Sequence, residues 1–146
     1  MPIGDPMGGE LYDLGRGRLV GLWMTTVPVK DLESAIGFYR DVLELEIMVD
    51  LRGQNWVEMG WPNEEGRLVL FVPAPGDPRR PGMDTGIVLA TDSVFEVHRR
   101  LVDEGVNFII KPERRPPFGM MAVFEDPYGN RFTVMERAKV PPAPQR

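Results

Sequence analysis

Between residues 19 and 137 the apolar positions alternate between a strand-like and a helix-like period, and they do so twice in the same order. Leu19 to Val29 reads as a first strand. Asp31 follows as an N-cap candidate, and Leu32, Ala35, Ile36, Tyr39, Val42 and Leu43 recur at helical spacing to form one apolar stripe. Glu46 to Leu51 reads as a strand, Arg52-Gly53-Gln54-Asn55 as a hairpin turn, and Trp56 to Gly60 as the returning strand. Pro62 to Gly66 turns the chain into a further strand, Arg67 to Val72. The order is β-α-β-β-β.

Pro73 to Met83 holds four prolines and two glycines and reads as a linker between two halves. The pattern then restarts. Thr85 to Thr91 is a strand, and Ser93-Val94-Phe95-Glu96 has capping-box spacing. The helix it opens runs to Glu104, with Gly105 past its end. Asn107 to Lys111 is a short strand, followed by a loop over Arg114 to Pro117. The final pair of strands lies in Phe124 to Glu136, FEDPYGNRFTVME, with the apolar run Met121 to Phe124 leading in. Asp126-Pro127-Tyr128-Gly129-Asn130 carries the turn chemistry that joins them. On the closing strand, alternation puts Phe132 and Val134 on one face and Arg131, Thr133 and Met135 on the other.

Val29-x-Asp31 and Ala90-x-Asp92 mark equivalent strand-to-helix junctions about sixty residues apart. A repeat of this size implies two similar modules in one domain. The expected fold is α+β, with two βαβββ modules forming one curved, cup-shaped mixed sheet and helices on its convex face. Module one covers 19–73, the linker 74–83 and module two 84–137. Residues 1–18 read as an arm and 138–146 as an extended tail, because both are rich in Gly or Pro and lack a period.

Composition narrows the function classes. The formal net charge is −5, from 17 basic and 22 acidic side chains dispersed along the chain, which argues against nucleic acid or an anionic membrane as partner. No apolar run reaches the roughly 18 residues of a membrane span. The N-terminus lacks the basic-then-apolar order of a signal peptide, so a cytoplasmic location is expected. The absence of cysteine excludes disulfides, thiolate metal sites and thiol catalysis, and a single histidine, His98, excludes any mechanism needing two imidazoles per chain.

The stretch Val27 to Glu46, VPVKDLESAIGFYRDVLELE, resembles the first-module signature of the vicinal oxygen chelate superfamily. That superfamily comprises glyoxalases, bleomycin-resistance proteins and extradiol dioxygenases. FEDPYGNRFTVME is similar to its closing DP-x-GN hairpin. One departure is Glu44, where the family usually has the glycine suited to a left-handed helix terminus.

In enzymes of that superfamily, four His, Glu or Gln side chains hold a divalent metal at the base of the cup. Carried over, those positions are Met24, Leu70 (with Phe71 the neighbouring possibility), Gly86 and Thr133. Thioether, alkyl, hydrogen and hydroxyl groups make no site for a hard or borderline cation, so neither metal nor another cofactor is expected.

Strand parity assigns the cup floor to Leu22, Met24, Thr26, Leu68, Leu70, Val88, Thr133 and Met135, with Trp56 and Met121 as walls. Such a surface reads either as a small-molecule pocket or as a filled core or dimer interface. Glu58 shares the parity of Trp56 and is either a general base in an apolar cup or a solvated strand-end carboxylate. His98 reads as a helix residue packed behind the sheet. Asp126 and Asn130 read as turn formers, and the pairs Arg79-Arg80 and Arg114-Arg115 as solvated loop charges.

The resemblance implies a homodimer that binds a flat apolar or aromatic compound without chemistry. The expected ligand-binding set is Met24, Thr26, Trp56, Glu58, Leu70, Val88, Met121, Thr133 and Met135. The alternative is a divalent-metal-dependent lyase, isomerase or dioxygenase with unorthodox ligands such as Glu58 and Glu125.

Overall fold

The computed structural model describes residues 17–137; most of the expected N-terminal arm and all of the C-terminal tail lie outside them. The order is β1 (Met24–Pro28), α1 (Leu32–Gly37) continuing as a π-turn (Phe38–Val42), β2 (Glu46–Leu51), β3 (Trp56–Gly60) and β4 (Arg67–Phe71). The second half is β5 (Asp84–Thr91), α2 (Val94–Asp103), β6 (Asn107–Arg115), β7 (Gly119–Glu125) and β8 (Arg131–Glu136). Both βαβββ modules are therefore present. Their strands hydrogen-bond as two four-stranded mixed sheets, β1-β4-β3-β2 and β5-β8-β7-β6, in place of one continuous sheet. In each, the first strand runs parallel to the last, and the remaining pairs are antiparallel.

The helix starts follow from their caps. Asp31 accepts the Ser34 amide at 2.9 Å, and Ser93 accepts that of Glu96 at 3.2 Å. The Val94 amide, a further orphan donor at the start of α2, goes to the Glu136 carboxylate at 3.1 Å. The first helical segment closes through Leu43 N–H to Phe38 C=O and Leu45 N–H to Tyr39 C=O. This leaves Glu44 at φ +68, in the conformation for which the family uses glycine.

One buried cluster serves both modules. Val27, Leu68, Leu70, Val57 and Met59 of the first sheet share it with Ala122, Phe124, Phe132 and Val134 of the second, and with Leu32, Ala35, Ile36, Tyr39, Val94 and Leu101 of the helical segments. Fully burying side chains of this kind contributes about 1.5–3 kcal/mol each. The Tyr39 ring meets Phe132 edge-on, and Phe124 stacks on Phe132. The closing hairpin is fastened across the modules. The Tyr39 hydroxyl donates to Asp126 at 2.7 Å, and the Asn130 amide donates to Asp126 at 2.9 Å and to the Pro28 carbonyl at 2.8 Å. Asp126 and Asn130 are thus more than turn formers: both are buried and tie β8 to the end of β1.

Three expectations on element length are corrected. The first strand begins at Met24, not Leu19, because β4 offers partners only from Arg67 onward. The apolar residues Leu19, Val20 and Leu22 ahead of it are fully or largely exposed, so Leu22 is no part of a cup floor. The sixth strand runs on to Arg115, through register shifts that keep it paired with β7 as far as Gly119. The loop expected over Arg114 to Pro117 shrinks accordingly, closed by Phe118 N–H to Arg115 C=O at 2.7 Å.

Candidate functional site

The helix-facing residues fix which side chains face the other way. Val27 and Leu70 are register partners and both lie in the shared core. The register partners Thr26 and Val69 therefore face away from the helices, as do Met24 and Arg67. On β3, Val57 and Met59 are core residues, so Trp56 and Glu58 share the open face, opposite Phe71 and Val69. This corrects the placement of Leu68 and Leu70 on the cup floor. Leu70 lies in the core shared with the helices, and Val69, equally buried, takes the position facing away. The misplacement has a simple cause: in Arg67 to Val72 both parities are apolar, so alternation gives no facing direction.

The second sheet presents the other half of the expected set. Phe132 and Val134 are core residues, so Thr133 and Met135 face away, beside Val123 and Met121 of β7. Val88 pairs with Thr133 and Ala90 with Met135 on the same face. The expected residues are thus brought together as two groups. Met24, Thr26, Trp56 and Glu58 lie on the first sheet; Val88, Met121, Thr133 and Met135 lie on the second. Val69, Arg67 and Val123 belong to these faces and were missed, and Phe71, named above as the neighbour of Leu70, joins them. Their signal was available only through the register with neighbouring strands.

Glu58 is neither solvated nor a free base. Its carboxylate accepts Arg67 Nη1 at 2.7 Å and Trp56 Nε1 at 3.1 Å, and its side chain is 13% exposed. Trp56 has spent its only donor on this contact, so its π face is what it offers a ligand. At the far end of the face, the Arg79 guanidinium lies 4.2 Å from the centre of the Phe71 ring. Arg79 is held there by Asp77 at 2.7 Å, which lowers the Asp77 pKa to about 2 through that side-chain hydrogen bond first. Arg79 is the exposed loop charge expected, 52% accessible, and it also covers the Phe71 ring.

The remaining candidates have structural partners. The His98 ring packs edge-on against Phe108, with centroids 4.6 Å apart, behind the second sheet. Glu125 accepts from Asn107 at 3.0 Å, Glu136 caps α2, and Arg115 pairs with Glu113.

The positions carried over from the superfamily's metal site are Met24, Leu70 or Phe71, Gly86 and Thr133, and with Leu70 in the core the place on the open face falls to Val69 or Phe71. None carries an imidazole or carboxylate. Among the described residues, no group of three or more His, Cys, Asp and Glu side chains is placed to hold a metal ion. The donor set does not fit the family's metal. Among the described residues no helix is long and apolar enough to cross a membrane.

Two half-cups, each formed by a βαβββ module with a helix behind it, define a protein of the glyoxalase fold. The sequence model of the Glyoxalase/Bleomycin resistance protein/Dioxygenase superfamily matches residues 21–134, and the chain belongs to that superfamily. Among solved structures, a superfamily member from Sphaerobacter thermophilus is 32% identical with a TM-score of 0.75, over 82% of this chain and 98% of that one. TnmS3, an antibiotic binding protein from Streptomyces sp. CB03234, is 28% identical with a TM-score of 0.70, over 82% and 98%. A lactoylglutathione lyase from Agrobacterium tumefaciens is 26% identical with a TM-score of 0.63, over 81% and 94%. A protein of Shewanella frigidimarina is 27% identical over 118 residues, 74% of this chain and 87% of its own length.

Proposed function

We propose that the protein binds a flat, apolar or aromatic small molecule on the open faces of its sheets, without a metal and without chemistry. One observation carries this reading: the carried-over metal positions hold Met24, Gly86, Thr133 and, on the open face in place of Leu70, Val69 or Phe71, while the same faces present Trp56, Met121 and Met135. Methionine adapts to irregular apolar shapes, and an indole stacks on flat ones. The likeness to an antibiotic binding protein supports it. The two faces belong to separate sheets, so a second copy of the chain is proposed to bring a first-sheet face against a second-sheet face and close the cleft.

The test is elemental analysis of purified protein together with tryptophan fluorescence during titration with polycyclic aromatic compounds. Metal-free protein with saturable quenching that is lost in Trp56→Leu is the expected result. Stoichiometric bound metal overturns the reading in favour of a metal-dependent lyase or dioxygenase, for which the likeness to the Agrobacterium enzyme speaks. Such an enzyme would need ligands other than Glu58 and Glu125. Glu58 and Glu125 stand on different sheets, each already hydrogen-bonded.

A further inference from the structure

We infer that the Glu58–Arg67 pair makes this face selective for uncharged aromatic compounds, with Glu58 and Arg67 as its specificity-determining residues. The inference rests on the small-molecule reading above and narrows it to a ligand class. Around the first sheet's open face, the cations are matched by carboxylates. Arg67 pairs with Glu58, and Arg79 with Asp77. On the second sheet, Val88, Ala90, Met121, Val123, Thr133 and Met135 carry no charge, Glu113 opposite Met121 pairs with Arg115, and Arg131 stands opposite Glu125 in the register at the end.

A ring laid on Trp56 completes the desolvation of a carboxylate that is already 13% exposed. An uncharged ring leaves the Glu58–Arg67 pair matched as it loses water. A sulfonate or carboxylate on the ring would be stripped of its hydration beside Glu58, with the guanidinium already committed. An ammonium would meet Arg67 in the same position. Losing the hydration of an unmatched ion opposes binding. Glu58 thereby does two things without transferring a proton: it fixes the Trp56 indole and cancels the charge of Arg67.

The test uses the full chain and two fluorescent probes sharing one ring system, uncharged N-phenyl-1-naphthylamine and anionic 1-anilinonaphthalene-8-sulfonate. Wild type is expected to bind the uncharged amine more tightly. Glu58→Gln keeps the side-chain shape and an acceptor for Trp56 but leaves Arg67 unmatched, so the ratio of the two Kd values should move toward the sulfonate by roughly tenfold or more. The double variant Glu58→Gln with Arg67→Gln removes both charges and should return the wild-type preference. Circular dichroism establishes that each variant is folded. A wild type that prefers the sulfonate overturns the inference, as does a folded Glu58→Gln with an unchanged ratio; in both cases the small-molecule reading stands. Should Glu58→Gln not fold, the wild-type ratio and the double variant decide in the same terms. If wild type binds neither probe, the small-molecule reading falls and the inference with it.

Discussion

Among single residues, Leu70 and Glu58 show how strongly a neighbour changes a side chain's role. Leu70 occupies a strand that is apolar on both faces, and only its register with Val27 turns it toward the helices. Leu70→Ala is accordingly expected to destabilise the fold by about 2–5 kcal/mol in urea unfolding. The Kd for an aromatic probe measured on the folded fraction should not move. A loss of affinity without loss of stability would return Leu70 to the binding face. Glu58 was legible as a residue of Trp56 parity, but its pairing with Arg67, nine positions on, depends on which β4 residue comes opposite β3. Glu44 is the reverse case. Its oddity was visible against the family's usual glycine, and the structure shows the left-handed conformation accepted at φ +68.

At the scale of elements, the proline-rich segment between the modules is fastened to the first sheet at one point. Asp77 holds Arg79, and Arg79 covers the Phe71 ring. The Asp77 pKa is lowered from the ordinary 3.8 to about 2, chiefly by the Arg79 hydrogen bond. Because the folded value is depressed, the pair's contribution is complete above the ordinary value and is lost as pH falls through about 2. Carbon-13 NMR of the Asp77 carboxyl should give a midpoint near 2, moving back toward 3.8 in Arg79→Met. A wild-type midpoint at the ordinary value would mean the arginine is not held over Phe71. The helices were legible because their start signals are local: Asp31 and Ser93 cap as their spacing implied. The ends of β1 and β6 were not, because a strand extends only as far as its partner does, and the partner is remote in sequence.

For the whole molecule, the two modules share one core, while large apolar side chains stay exposed on the second sheet's open face and in the segment ahead of β1. Val88 is 58% exposed on the second sheet, and Trp23, just ahead of β1, is 77% exposed. Large uncovered apolar groups near a sheet edge favour association. Sedimentation equilibrium is expected to give twice the chain mass of 16.5 kDa. Val88→Glu, which would place a charge in the closed cleft, is expected to shift the protein toward monomer. A wild-type protein monomeric at high micromolar concentration would remove the second copy from the proposed cleft.

The order of elements, the doubling of the module, the helix caps and the lack of imidazole or carboxylate at Met24, Gly86 and Thr133 were set by the sequence alone. Each depends on residue identity or on neighbours within a few positions. The tertiary structure decided which face of β4 looks outward, that Arg67 neutralises Glu58, that Asp126 and Asn130 join two modules, and that the strands pair as two sheets. Those outcomes turn on register and long-range contact, where a shift of one residue exchanges the two faces of a strand.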